Sequence, residues 1–169
     1  MSSGIVLIIG KRGTGKSRLA RLIARQALRS GRVVLVHDPM ADWQRWGQVE
    51  PMPGIVYTHL DAEIAAQEAI AQAPCTLIYD EIRVPLPGLG TVSDTALDIV
   101  TYGRHYPVGL VGCTQRPALV SNSLRALISQ AYVFQLTNHA DLKWCELNLD
   151  DWVADRAGDL VLNQFIVWP

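Results

Sequence analysis

The stretch Gly10-Lys11-Arg12-Gly13-Thr14-Gly15-Lys16-Ser17, with Arg18 at its end, spaces glycines ahead of a Lys-Ser pair. Those residue types suit a polyphosphate. Glycines let the backbone wrap the ligand, and the loop N–H groups and the N-terminus of a following helix present oriented positive ends. Lys16 would carry charge to the β- and γ-phosphates, and the Ser17 hydroxyl would reach Mg²⁺. The match to G-x-x-x-x-G-K-[ST] gains weight from its context. The apolar run Ile5-Val6-Leu7-Ile8-Ile9 precedes it, and a helical pattern from Ser17 to Arg29 follows.

Two further groups complete this chemistry. Thr76-Leu77-Ile78-Tyr79 is strand-like and ends in the adjacent carboxylates Asp80 and Glu81, the arrangement known as Walker B. Asp80 is placed to orient the water ligands of the metal, and Glu81 to polarise an attacking water as general base. An adjacent glutamate points to hydrolysis, because a kinase avoids activating water. Gln115 ends the apolar run Val108 to Thr114. In P-loop ATPases a polar residue on the strand between the two Walker strands lies beside the γ-phosphate, where it senses the phosphate and bonds the attacking water.

These residues need a scaffold of alternating strands and helices. Leu19, Leu22, Ile23, Ala27 and Leu28 recur at helical spacing, and Gly31 ends that helix. Val33–His37 reads as a second buried strand, closed by Asp38-Pro39 at the end where open α/β sheets bind ligands. Ile55-Val56-Tyr57 is a short strand. Asp61 caps an alanine-rich helix to about Gln72, and Ser93 caps another. Ile82 to Val92, rich in Pro and Gly, is a loop at the active-site edge. A short helix marked by Leu124, Leu127 and Ile128 leads to a strand over Tyr132–Leu136. Asn138-His139-Ala140-Asp141 lacks the lysine of the guanine-reading N-K-x-D, so Asn138 is expected to cap a helix. Leu149–Ala157 reads as a last helix, and Leu160–Trp168 as one or two terminal strands turning at Asn163-Gln164. Trp43 and Trp46 are either core or an interface anchor.

A chain of 169 residues is expected to form one α/β domain over residues 1–169. Its net charge of −1 does not argue for a nucleic-acid partner, but the charges are unevenly placed. Eight basic residues, Lys11 to Arg32, precede the first acidic residue, Asp38, whereas the C-terminal part is rich in Asp. Such polarity suits head-to-tail contact between copies or pairing within one chain. Arg18, Arg21, Arg25 and Arg29 share one helix face, either solvated or facing DNA or a neighbour. Cys75, Cys113 and Cys145 have no C-x-x-C spacing and are expected to be reduced, in a cytoplasmic protein. Neither a signal peptide nor a membrane-spanning segment is expected. The four histidines form no ligand-spaced pair, which argues against structural zinc.

Together the motifs resemble the FtsK–HerA superfamily of P-loop ATPases. Asp38-Pro39 followed by Asp42-Trp43 is similar to its D-P-x-x-[ED]-aromatic segment. Gly103-Arg104-His105 through Val108-Gly109-Leu110 to Thr114-Gln115-Arg116-Pro117 is similar to its R-x-x-G-v … T-Q-R-P block. With the Walker motifs the resemblance covers about residues 4 to 140. It implies a RecA-like (ASCE) P-loop NTPase with a mostly parallel central sheet of order 5-1-4-3-2, flanked by helices and carrying extra C-terminal strands. It implies ATP and Mg²⁺ as cofactors, and a homo-oligomeric ring, hexamer or pentamer, whose sites are completed by a neighbour's arginine. An arginine of that kind contributes roughly 10³–10⁵ in rate. Arg104, which begins the matching block, is the first candidate, with Arg83 and Arg116 in reserve. The compact members of the superfamily are genome-packaging ATPases of viruses with internal membranes. They imply double-stranded DNA as partner, capsid or membrane portal proteins as anchors, and a host-cytoplasmic or virion-associated setting. Two alternatives are a zonula-occludens-toxin-like filamentous phage assembly ATPase and a small-molecule P-loop kinase.

Overall fold

A computed structural model describes residues 4–58, 61–103 and 105–169. The apolar runs form β1 (Ile5–Ile9), β2 (Val33–His37), β3 (Ile55–Thr58), β4 (Cys75–Tyr79), β5 (Val108–Thr114), β6 (Ile128–Phe134) and β7 (Phe165–Trp168). The helices are α1 (Lys16–Arg29), α2 (Asp42–Val49), α3 (Ala62–Ala71), α4 (Asp94–Thr101), α5 (Asn122–Arg125), α6 (His139–Asn148) and α7 (Asp151–Ala157). Asp61, Ser93 and Asn138 cap α3, α4 and α6 as their side-chain chemistry predicts, each accepting a backbone N–H of the first turn.

The strands make one sheet in the order β3-β2-β4-β5-β1-β6-β7. Without the edge strands β3 and β7 this is the expected order, 5-1-4-3-2, read from β6 through β1, β5 and β4 to β2. All pairings are parallel except β6–β7. The α/β RecA-like fold inferred from the motifs is therefore the observed one. β1 is buried along its whole length, and its alternate side chains serve two cores. Ile5, Leu7 and Ile9 join the cluster with Leu35, Leu77, Tyr79 and Leu110 beneath α3, α4, α6 and α7. Val6 and Ile8 face α1 and α2 with Val34, Val36 and Ile78. Covering both faces explains why central strands read as unbroken apolar runs.

Two boundaries differ from the sequence reading, and the C-terminus takes the simpler of the two forms it allowed. β6 starts at Ile128 rather than Tyr132, because polar Ser129 and Gln130 disguise its first half. That half pairs with β1 across a register irregularity at Ile5/Val6, and the Ile5 N–H donates to Ser129 Oγ at 3.2 Å. The last helix starts at Asp151, after a turn at Leu149 and an extended Asp150 at its N-cap. The C-terminus supplies one strand, β7, with the turn before it marked by Asn163 at φ +65°. Among the described residues no helix is long and apolar enough to cross a membrane.

Candidate active site

Every short linker at the carboxyl ends of β1, β2, β4 and β5 carries chemistry, and those four strands are neighbours in the sheet. β1 passes into the P-loop, β2 into Asp38, β4 into Asp80 and Glu81, and β5 into Gln115.

The P-loop is fastened at its start. The Gly10 N–H donates to Thr114 O at 3.2 Å, and the Lys11 N–H to Gln135 O at 3.0 Å, beyond β6. Buried Thr14 turns its hydroxyl onto Lys11 O at 2.9 Å. Lys11, Arg12, Gly13 and Arg18 are exposed, and Ser17 is half-buried in the first turn of α1. Gly15 sits at φ +111°, in the left-handed region, and a Cβ there would lie 2.9 Å from Asn163 Oδ1. The backbone conformation requires glycine, and a Cβ would also push the Asn163 side chain aside. The Asn163 N–H also donates to Thr14 O at 3.2 Å, so the turn before β7 braces the loop from behind.

Lys16 is only 9% exposed, and its Nζ donates to Lys11 O at 2.9 Å. Burial lowers its pKa from the usual amine value, and the nearby Glu81 and Asp80 oppose that shift. The lysine thus has one backbone partner, set against two carboxylates that favour its charge.

Asp80 and Glu81 follow β4, fixed on both sides by the sheet. The Asp80 N–H donates to His37 O at 3.2 Å, and the Ile82 N–H to Cys113 O at 2.8 Å. Ile82 then folds back over β5, and only a glycine at 112 leaves it room, since a Cβ there would meet Ile82 at 2.8 Å. Both carboxyls have pKa values above the ordinary range, with burial the main cause. At Glu81 the nearby Thr114 hydroxyl and the backbone N–H groups of Arg83 and Gln115 oppose that shift, and the Arg83 N–H donates to Glu81 Oε1 at 3.4 Å. Thr114 is fully buried, and its oxygen also accepts the Arg116 N–H at 3.1 Å. Glu81 and Gln115 follow adjacent strands, β4 and β5, and Gln115 is exposed.

Trp43 is fully buried, which decides for core over interface anchor. Its indole N–H donates to Asp80 Oδ1 at 2.9 Å. Trp46 is half-buried beneath Arg21 and Arg25, whose guanidinium carbons lie 4.4 and 5.5 Å from its ring centre. The arginine face of α1 is therefore partly spent on α2, and Arg25 also pairs with Glu50.

Of the three candidate arginines, Arg104 lies outside the described residues. Arg116 pairs through Nε with the buried carboxylate of Asp141 at 2.8 Å, tying the short 3₁₀ turn Pro117–Leu119 to α6. Arg83 is exposed beside Glu81, on a cleft of about 670 Å³ also lined by Leu89, Leu119 and Arg125. The loop from Ile82 to Val92 is more ordered than its composition indicates. Ile82 and Leu86 are fully buried, the Gly88 N–H donates to Leu119 O at 2.7 Å, and the Ser121 N–H donates to Leu86 O at 3.0 Å. The three cysteines are buried free thiols, with Cys75 pushed up to about 11 and Cys145 to about 12 by burial.

Sequence reading missed three contributors: the Trp43 bond, the Thr114 bond and the Asn163 brace. Trp43 and Thr114 lay inside recognised blocks, but nothing local marks Asn163. Among the described residues no group of three or more His, Cys, Asp or Glu is placed to hold a metal by itself. One hydroxyl, Ser17, and one carboxylate, Asp80, suit Mg²⁺ that arrives with phosphates and keeps most of its waters.

A parallel sheet of this order, with a glycine loop between β1 and α1 and acidic residues after β4, defines the fold of a P-loop NTPase. No protein-family model and no curated protein matches the chain. Solved structures do match in fold. The genome packaging NTPase B204 of Sulfolobus turreted icosahedral virus 2, in complex with AMP, aligns with TM-score 0.81 and 15% identity over 99% of this chain and 93% of that one. The pCW3 conjugation coupling protein TcpA, with ATPγS, aligns at 0.66 and 17% over 99% of this chain and 57% of that one. The N-terminal domain of zonular occludens toxin from Neisseria meningitidis aligns at 0.55 and 19% over 78% and 76%. The chain thus shares its fold with the kind of ATPase that its motifs resemble.

Proposed function

We propose that this chain is an ATP-hydrolysing motor that translocates double-stranded DNA, in the packaging of a viral genome into a procapsid. The observation that carries this reading is the convergence of P-loop, Asp80-Glu81 and Gln115 on neighbouring strand ends, in a chain whose full length superposes on a protein described as a genome packaging NTPase. B204 is also described in complex with ATPγS, in an alignment covering 98% of this chain.

In this reading residues 10–18 bind the triphosphate, and Lys16 exchanges its Lys11 carbonyl for phosphate oxygens. Ser17 and Asp80 hold Mg²⁺, which when bound neutralises phosphate charge. Glu81, held by Thr114 and two backbone N–H groups, takes a proton from the attacking water. Gln115, beside it, orients that water. The site is completed by a neighbouring copy in a hexameric or pentameric ring, with Arg104 as the arginine supplied across the interface. Arg116 is engaged by Asp141 within its own chain, which ranks it below Arg83 as reserve. Residues 1–169 act as one motor domain, anchored by capsid or membrane portal proteins, in the host cytoplasm or the virion.

The test is ATP hydrolysis with and without linear double-stranded DNA, alongside a native mass. DNA-stimulated hydrolysis by a multimer is expected. A monomer that phosphorylates a nucleotide, the kinase alternative, contradicts the proposal. Mixing Arg104→Ala with Lys16→Ala subunits should restore activity, since some sites in a mixed ring pair an intact P-loop with an intact arginine. Absence of rescue in mixed rings verified by mass removes Arg104 from the role. The filamentous-phage alternative predicts hydrolysis without a response to duplex DNA.

A further inference from the structure

The Asp80 carboxylate is held by a side chain from another element. α2 begins beyond β2, and its first turn is gathered by Asp38, itself fully buried. Asp38 Oδ1 accepts the Asp42 N–H at 3.0 Å, and Oδ2 accepts the N–H groups of Trp43 at 2.9 Å and Gln44 at 3.2 Å. Three charge-assisted bonds fix the direction in which α2 leaves the sheet. Trp43 is thereby driven into the core, where its Nε1–H meets Asp80 Oδ1 at 2.9 Å. From the other side Arg21 of α1 lies over the Trp43 ring at 5.5 Å and the Trp46 ring at 4.4 Å. The helix that follows the P-loop therefore packs on the tryptophan that holds the Walker B aspartate.

We propose that Trp43 is a positioning residue for Asp80: its indole N–H occupies Oδ1 and turns Oδ2 toward the metal that accompanies the nucleotide. This rests on the reading of Asp80 as the metal-facing carboxylate. Asp80 lies in the field of the Asp38 and Asp42 carboxylates and of the opposing Arg21 guanidinium, and the Trp43 bond fixes its direction among them. A donor with no acceptor capacity and no charge to neutralise is well suited to the task, because it orients the carboxylate and leaves its charge for the metal. Asp38 and Arg21 act one step further out, by fixing the ring.

The test separates nucleotide binding from metal binding in the full chain. Trp43→Phe keeps an aromatic ring in the core and removes the N–H. With Mn²⁺ and ADP as probes, the electron paramagnetic resonance signal of bound Mn²⁺ gives the metal affinity of the nucleotide complex. Calorimetry with ADP in EDTA gives metal-free affinity. Trp43→Phe is expected to weaken Mn²⁺ binding by roughly tenfold or more, leave metal-free ADP affinity within about twofold of wild type, and add no further loss in an Asp80→Asn background. Unchanged Mn²⁺ affinity in Trp43→Phe, with a clear loss in Asp80→Asn, overturns the role of Trp43 alone. Equal weakening of metal-free ADP does the same, since it marks a merely structural effect. Unchanged Mn²⁺ affinity in Asp80→Asn overturns the metal-facing reading and this proposal with it. If Trp43→Phe does not fold, ¹⁵N-indole spectra of the wild type replace it. Of the five tryptophans, one indole signal should move strongly on Asp80→Asn, and no movement overturns the proposal.

Discussion

The P-loop and the carboxylate end of β4 lie across one sheet and are built in opposite ways. The P-loop is backbone: glycines, main-chain bonds to Thr114 and Gln135, and a lysine parked on a carbonyl of its own loop. The carboxylate end leans on side chains of other elements: the Trp43 indole of α2 on Asp80 and the buried Thr114 hydroxyl of β5 near Glu81. On the proposed reading the first region exchanges partners with the nucleotide, because main-chain donors and a lysine held only by a backbone carbonyl lose little when phosphate takes that place. The second is preorganised before any ligand arrives, as electrostatic catalysis requires. Binding and turnover should therefore fail separately when the two regions are broken separately.

The largest effect is expected at the carboxylate end. Glu81→Gln removes the proposed proton acceptor and preserves shape, so turnover should fall by about 10²–10⁴, with ATP affinity retained. Steady-state hydrolysis and equilibrium binding check both halves. Lys16→Ala strikes the other region. Losing a charged hydrogen bond to phosphate, worth about 1.5–3 kcal/mol, should weaken ATP binding by roughly 10- to 100-fold, read by calorimetry.

The glycines sharpen the comparison within the P-loop. Gly15→Ala meets both a left-handed φ and Asn163, so it should destabilise the protein by about 1–3 kcal/mol and loosen the turn before β7. Gly13→Ala has a left-handed φ of +80° but open space around it, and should cost about 1 kcal/mol. Urea unfolding of the pair distinguishes steric from conformational cost. A smaller, pH-dependent effect is expected outside both regions, at Glu63. Burial raises its pKa, but hydrogen bonds from Ser93, Thr95 and Gln67 outweigh that and hold it below the ordinary value of 4.5. Its contribution to stability is complete above its unfolded pKa and is lost as pH falls through the depressed folded value. Glu63→Gln should therefore lower Tm at neutral pH and flatten its decline below about pH 4.5.

The same division explains what was legible in the sequence. The P-loop, the β4 carboxylates and the caps Asp61, Ser93 and Asn138 depend on neighbours in sequence, so residue type and spacing reveal them. The sheet order came from the family resemblance that the motifs carry, not from the strands themselves, whose apolar runs say nothing of their neighbours. Trp43 could not be assigned, because core burial and interface exposure favour the same residue type. Asn163 reaches Gly15 only because β7 returns beside β6, at the far end of the chain. The polar start of β6 looks like a loop until its pairing with β1 is known.

The central claim is that the two regions act together on one γ-phosphate, with water as its acceptor. Its most direct test is the fate of the label when the protein turns over γ-³²P-ATP with Mg²⁺, double-stranded DNA and a mixture of nucleoside monophosphates. The account predicts label released as inorganic phosphate, faster with DNA and absent in Glu81→Gln. Label transferred to a nucleotide, or release undiminished in Glu81→Gln, would contradict it.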